Sequence, residues 1–159
     1  MPLLRAALSW NFVLATAICA SLLAQLIKVL LNLFIFHRFI AERMWGAGGM
    51  PSSHSATVCA MVVATGRYCG VNSPLFAIAA VLSIIVMYDA MGVRYETGEQ
   101  AKVLNKMLEQ WIEVTEKNNP FLQNMHLKEM VGHTPLQVMA GFALGILVLS
   151  LIHISEPTR

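Results

Sequence analysis

Residues 6–27 read AALSWNFVLATAICASLLAQLI, a run of 22 positions without a charged side chain. Two further windows share this property: 68–88, with 21 residues, and 134–152, with 19. An α-helix rises about 1.5 Å per residue, so that about 20 apolar residues are needed to cross a bilayer. Three windows of this length in a chain of 159 residues predict a protein embedded in a membrane.

The composition agrees with this prediction. The chain is 57% hydrophobic and only 13% charged, with a mean hydropathy of +0.62, whereas soluble domains carry about 25% charged residues. The net charge of +2 gives no reason to expect a nucleic-acid partner, and the expected partner is the lipid bilayer. Nothing in the sequence indicates an oligomeric state. The three cysteines are scattered and form neither a disulfide framework nor a metal-ligand pattern.

We therefore predict an all-α fold, a multi-pass helical membrane bundle with about four membrane-embedded helices and one amphipathic helix. The embedded helices are expected from about Leu8 to Phe36, from near Ser53, from about Pro74 to Tyr88, and from Pro135 onward. The amphipathic helix is expected to start at the capping-box pattern of residues 97–100 and to end near Lys117. It either packs on the bundle or rests at the membrane interface.

The last eleven residues, 149–159, look like the translation of a transposase sequencing adapter. We therefore expect one membrane-embedded, phosphatase-like domain over residues 1–148, followed by an artificial tail at 149–159. His153 and Arg159 consequently receive no functional weight.

Two polar clusters stand beside the apolar windows. The first, residues 48–55, reads GGMPSSHS and joins paired glycines to a helix start, where unpaired backbone N–H groups attract anions. The second, residues 127–135, reads LKEMVGHTP, in which Thr134 is a plausible N-cap and Gln137 its capping-box partner. One histidine in such a place is usually structural. Two of them, His54 and His133, each at the polar mouth of an apolar helix, favour a functional site.

Two charged residues remain open to two interpretations. Asp89 ends a long uncharged window, so it takes either a site role or a structural ion pair with a nearby cation. Lys28 ends the first window, and its alternative to a site role is snorkelling toward the membrane surface.

From about Gln25 to Gly145 the chain resembles the divergent branch of the type-2 phosphatidic acid phosphatase family, relatives of the vanadium-dependent haloperoxidases. The resemblance rests on both clusters and on two further motifs, DAMGVR at residues 89–94 and QAKVLN at residues 100–105. It implies a metal-independent phosphatase without a cofactor.

The parent family's Pro-Ser-Gly-His motif corresponds to residues 51–54, with Ser53 in place of glycine. The resemblance implies that His54 protonates the leaving oxygen, that Ser52 helps to bind phosphate, and that His133 is the nucleophile. The family's orienting aspartate is replaced by Gln137, so Asp89 or Glu129 are further candidates for that role.

The basic residues of the family's motifs also differ. The Lys-x6-Arg-Pro motif is absent, since Lys28 is followed by Ile35 at the arginine position, and Lys128 stands one position closer to His133 than the family's arginine. Arg94 is the best candidate for the missing guanidinium, because it could grip phosphate at two points. The expected phosphate-binding group is Ser52, Ser53, Arg94, Lys128 and Lys28.

The leading functional prediction is hydrolysis of a lipid or isoprenoid phosphate monoester, or another phosphate ester, through a phosphohistidine intermediate. One alternative is a non-catalytic membrane protein that binds an anionic headgroup or a partner with a degenerate site. Vanadate-dependent peroxidase chemistry is disfavoured in a membrane-embedded chain.

The distribution of lysine and arginine predicts the sidedness of the site. Short loops rich in these residues stay in the cytoplasm. The loops 28–53 and 89–133 are expected to share one side, which would carry Lys28, Arg38, Arg43, Arg94, Lys102, Lys106, Lys117 and Lys128. The opposite side would carry Arg5 and Arg67. We therefore expect a site that opens to the cytoplasm.

Overall fold

The computed structural model describes residues 11–36, 49–115, 125–129 and 131–154. Arg5, Arg38, Arg43, Lys117 and Arg159 lie outside these ranges. The described helices are α1 Phe12–Phe36, α2 Ser53–Cys69, α3 Pro74–Met91, α4 Val93–Thr115 and α5 Pro135–Ile154. The described ranges contain no strand, and the all-α prediction is confirmed there.

Two helical stretches are long and apolar enough to cross a membrane. They are Phe12–Phe34, within α1, and the run Pro74–Ile112, which begins with α3. The apolar part of α5, Pro135–Leu151, is shorter. The count of four embedded helices therefore stays a prediction. So does the artificial tail, although α5 continues to Ile154 and Leu149 is buried.

The helix α2 is the centre of the bundle and packs against α1, α3 and α5. The core where they meet consists mainly of small side chains, with Ala20, Ala24, Ala56 and Ala60 fully buried. Most of the large apolar side chains of α1, α3 and α5 point outward instead. Because soluble monomers rarely expose extended apolar surface, this distribution is typical of a bundle whose solvent is lipid.

Close contact between α2 and α5 depends on two glycines spaced by four residues. A Cβ atom at Gly141 would lie 2.3 Å from the carbonyl oxygen of Ser52, and one at Gly145 would lie 2.7 Å from that of Ala56. Small residues at this spacing let two helix backbones approach closely within a membrane. The contact also joins the polar starts of the two helices, since the Ser52 backbone N–H donates to the carbonyl oxygen of Gln137 at 3.0 Å.

The predicted capping box at the start of α5 is confirmed. The Gln137 N–H donates to the Thr134 hydroxyl at 3.4 Å, and the Thr134 N–H donates to the side-chain oxygen of Gln137 at 3.2 Å. Each side chain thus satisfies a backbone donor that the helix itself leaves unpaired.

The predicted start of the amphipathic helix is wrong. The helix α4 begins at Val93, and Thr97 lies inside it, where its hydroxyl donates to the Val93 carbonyl oxygen at 2.7 Å. The predicted end of α3 at Tyr88 is three residues early, since α3 continues to Met91. A threonine hydroxyl inside a helix can instead donate to the carbonyl oxygen four residues back, so the capping-box pattern does not by itself mark a helix start. Only Gly92 separates α3 from α4.

Candidate functional site

The structure brings the two histidines together at the polar ends of α2 and α5. Their ring centroids lie 6.3 Å apart, with the ring planes inclined at 62°. His54 lies in the first turn of α2 and is exposed, whereas His133 precedes α5 and is only 2% exposed. The His133 backbone N–H donates to the carbonyl oxygen of Ala90 at 3.0 Å, which also ties this segment to the end of α3.

Gln137 holds the imidazole of His133 in one tautomer. Its side-chain oxygen lies 3.1 Å from Nδ1 of His133 and also accepts from the Thr134 N–H. Because a backbone N–H can only donate, the amide atom facing both groups is the oxygen. Nδ1 of His133 is therefore the protonated nitrogen in the neutral ring, and Nε2 carries the free electron pair.

That free Nε2 is buried without a hydrogen-bond partner, and so is Nζ of Lys28. Gln25 Oε1 completes this set within the described part of the chain. Lys28 is only 1% exposed, although it belongs to α1. Buried polar groups are nearly always paired, so an unsatisfied ammonium and an unsatisfied imidazole nitrogen call for a specific explanation.

Gly49 lies against the side chain of Lys28. Its φ angle of +82° lies in the left-handed region, which disfavours other residues, and a Cβ atom there would lie 3.4 Å from Cδ of Lys28. Gly49 thus lies directly beside the aliphatic part of the lysine side chain.

The electrostatics link these groups into one neighbourhood. Burial lowers the pKa of His133 most strongly, the hydrogen bond that the ring donates to Gln137 raises it, and the charges of Lys28, His54 and Arg94 lower it further. Burial also lowers the pKa of His54, the charges of Arg94 and Lys28 lower it further, and the charge of Asp89 raises it. Two cations, Lys28 and Arg94, and two imidazoles thus act on one another, and two of these four groups carry a buried unsatisfied nitrogen, which together form an environment suited to an anion.

Arg94 takes part through an ion pair. Its Nε lies 2.5 Å from Oδ2 of Asp89, and both side chains are partly exposed. For Asp89 the structure thus shows the ion pair rather than a contact with either histidine. The pair lies across Gly92, where α3 gives way to α4.

Ser52 caps α2, and its side chain is fully buried. Its hydroxyl accepts from the Ser55 N–H at 3.3 Å and from the Ser55 hydroxyl at 3.0 Å. Ser53 is also buried. The structure therefore places Ser52 where it fixes the helix start that carries His54.

The comparisons with known proteins show the family of the chain. The sequence pattern of the Divergent PAP2 family matches residues 9–148. This chain belongs to the Divergent PAP2 family. A protein of Bacillus subtilis (strain 168) named "Uncharacterized membrane protein YuiD" is 36% identical over 144 residues, which cover 87% of this chain and 91% of the relative. No solved structure matches the chain significantly.

In this member of the Divergent PAP2 family, two predicted site residues make no hydrogen bond to the imidazoles within the described part of the chain. Lys128 is exposed, and Oε1 of Glu129 accepts from the side-chain amide of Asn105 at 2.8 Å. Glu129 also lines a cavity of about 170 Å³ that adjoins Gln137 and Gly132. Of the three proposed orienting residues, Gln137 is the one that bonds to His133.

Asn105 is a structural residue that the sequence analysis missed. It is buried, and its amide exchanges hydrogen bonds of 2.9 Å with both the N–H and the carbonyl oxygen of Leu127. These contacts clamp residues 125–129, which lead to His133, onto α4. The available signal was an asparagine four residues after Ala101, on the face of the helix that is otherwise apolar.

Proposed function

We propose that this protein is a multi-pass membrane phosphatase that hydrolyses a lipid or isoprenoid phosphate monoester through a phosphohistidine intermediate. The observation that carries the proposal is the pair of buried, unsatisfied atoms Lys28 Nζ and His133 Nε2 in one cationic neighbourhood. A phosphate group satisfies both, since its oxygens accept from the ammonium and its phosphorus meets the nitrogen electron pair.

The reaction follows from the tautomer of His133. Its Nε2 attacks phosphorus, the bond from phosphorus to the ester oxygen breaks, and the leaving oxygen takes a proton from His54. Water then attacks the phosphohistidine, and His54, now neutral, accepts the proton of that water. The products are the alcohol and inorganic phosphate, and both imidazoles return to their starting states.

The surrounding groups stabilise the charge that develops on the transferred phosphoryl group. Lys28 and Arg94 supply positive charge, and the first turn of α2 supplies backbone N–H groups at the positive end of the helix dipole. Gln137 keeps Nδ1 protonated and the ring oriented, which is the geometric part of the role that aspartate plays in the parent family.

A second candidate function is binding of an anionic headgroup without turnover. The observation that favours it is the neutral side chain of Gln137 on Nδ1. An aspartate there would stabilise the positive charge that forms on the imidazole during attack, and glutamine orients without supplying that charge.

Two substrates with matched headgroups separate these functions. One ligand is a phosphate monoester, and the other is the phosphonate with the same alkyl chain, in which a methylene group replaces the bridging oxygen. Both should bind the purified protein equally well. A phosphatase releases inorganic phosphate from the ester only and forms an acid-labile, base-stable phosphoprotein in rapid-quench experiments. Equal binding with no phosphate release and no phosphoprotein would establish the binding function instead.

Lys28→Met tests the anion site directly. We expect the affinity for inorganic phosphate or vanadate to fall by about 100-fold, close to 2.7 kcal/mol, because the buried cation is lost. We also expect the thermal midpoint without anion to rise, because a buried unpaired charge opposes folding. Isothermal titration and thermal melts in detergent measure both. A lower midpoint together with unchanged affinity would show that Lys28 serves the fold alone.

The pKa of His133 sets the expected pH dependence. Attack requires neutral His133, and its lowered pKa keeps the ring neutral as the pH falls below 6.5. We therefore expect the acid limb of kcat/KM to lie below 6.5, the ordinary imidazole value. Lys28→Met removes a charge that lowers this pKa, so its acid limb should move to higher pH. An acid limb of the wild type above 6.5 contradicts the assignment.

We further propose that the site opens to the cytoplasm. The support is the excess of lysine and arginine in the sequence that surrounds the site. In a background without the native cysteines, Asn118→Cys should react with a membrane-impermeant maleimide only after cells are opened. Pro2→Cys should react in intact cells. The reversed pattern would mean that the topology is inverted.

A further inference from the structure

The helix α4 differs from the helices of the bundle in its charge and in its contacts. It carries seven charged residues, whereas α3 carries Asp89 alone. Among the described helices it packs only against α3. It therefore leaves the bundle at Gly92, directly after a helix that is long enough to cross a membrane.

The residues of α4 fall into three sectors at helical spacing. The inner sector is buried or partly buried and consists of Ala101, Asn105, Leu108 and Ile112. The outer apolar sector is exposed by half or more and consists of Val103, Leu104, Met107 and Trp111. The polar sector consists of Glu99, Lys102, Lys106 and Glu109.

The outer apolar sector and the polar sector face different sides of the helix, and their centres are about 135° apart at about 100° per residue. Leu104 is two positions after Lys102, and Trp111 is two positions after Glu109. At 3.6 residues per turn, two positions correspond to a rotation of about 200°. A helix that presents one broad apolar side and one charged side, while its third side packs on protein, matches the pattern of helices that lie in the membrane interface.

We propose that α4 lies flat in the membrane interface, with its outer apolar sector in lipid and its polar sector in water. We expect lipid to cover the outer apolar sector, because only Gly92 separates α4 from α3. The first turn of α4 is therefore at the height where a membrane span ends. The tryptophan at position 111 also suits this boundary, where aromatic rings of amphipathic character concentrate.

The interfacial position of α4 also affects the candidate site, because α4 contacts the segment that carries His133. Asn105 holds residues 125–129 against α4, and a Cβ atom at Gly132 would lie 2.3 Å from the backbone of Tyr95. The segment that carries His133 is therefore in backbone contact with α4. The interfacial position of α4 therefore places His133 near the level of the lipid headgroups.

Depth-dependent quenching of single tryptophans tests the proposal on the full chain. Trp10 and Trp45 are replaced by phenylalanine, which leaves Trp111 as the reporter. In a Trp111→Phe background, Leu104→Trp reports on the same sector and Lys106→Trp on the polar sector. Each protein is placed, one copy per nanodisc, in phosphatidylcholine brominated near either the glycerol end or the methyl end of its acyl chains.

We expect Trp111 and Leu104→Trp to lose at least about half of their fluorescence to bromine near the glycerol end, and less to bromine near the methyl end. Lys106→Trp should be almost unaffected by either lipid. Strongest quenching by bromine near the methyl end would show that α4 enters the hydrocarbon core, which overturns the proposal. Absence of quenching in both outer-sector reporters would also overturn it, since another part of the chain or a second copy would then cover the sector.

Discussion

His133→Gln is expected to abolish phosphoprotein formation and to lower phosphate release by at least about 10³-fold. The amide keeps a polar group of similar reach but lacks an electron pair on nitrogen that can attack phosphorus, so the covalent route is closed. Phosphate affinity should change little, because Lys28 and Arg94 remain. Rapid-quench trapping and steady-state phosphate release measure the loss.

His54→Asn is the matched variant, because it removes a proton donor and leaves the nucleophile. We expect hydrolysis of alkyl phosphates to fall by about 10²–10³-fold. Aryl phosphates, whose leaving groups need no proton, should lose far less and should still form phosphoprotein. If both variants lower the hydrolysis rates of alkyl and aryl phosphates by the same factor, the division of roles between the histidines is wrong. Phosphate release unchanged in His133→Gln would refute the intermediate itself.

The sequence predicted the elements whose signals are local. The charge-free windows located the apolar helices, and α2 starts at the predicted Ser53. The start of α5 was predictable because Thr134 and Gln137 are three residues apart and satisfy each other's backbone. The start of α4 was not, because Gly92 ends α3 and lets the chain re-enter a helix at once, without a side-chain cap.

Features of the site that depend on distant contacts were beyond sequence reasoning. The proximity of His54 and His133 was expected from chemistry, but the burial of Lys28 beside them depends on how α1 packs on α2. Asn105 bonds to residues 22 positions away, a contact that no periodicity reveals. Gln137 stood out as a departure from the parent family, and only the structure shows that the capping box orients its oxygen toward the imidazole.

The approach of α2 to α5 is the packing feature on which the site depends most. The glycine at position 141 lets the Ser52 carbonyl oxygen come within 2.3 Å of where a Cβ atom would be. The same approach forms the bond from the Ser52 N–H to the Gln137 carbonyl oxygen. Because Ser52 starts the helix of His54 and Gln137 holds His133, this contact sets the distance between the imidazoles.

Gly141→Ala is therefore expected to destabilise the fold and to lower activity per folded molecule. Alanine stabilises a helix relative to glycine by about 1 kcal/mol. The added Cβ atom would, however, clash with a backbone oxygen, which cannot move aside as a flexible side chain can. Overpacking of this kind costs about 1–3 kcal/mol, so we expect a net loss of stability and a wider separation of α2 and α5. Ala143→Leu, on the exposed side of α5, is the control and should change stability by less than about 0.5 kcal/mol. Thermal melts in detergent, with phosphate release normalised to the folded fraction, measure both effects. A Gly141→Ala protein that is more stable than the wild type and equally active would show that the helices are not held together at this point.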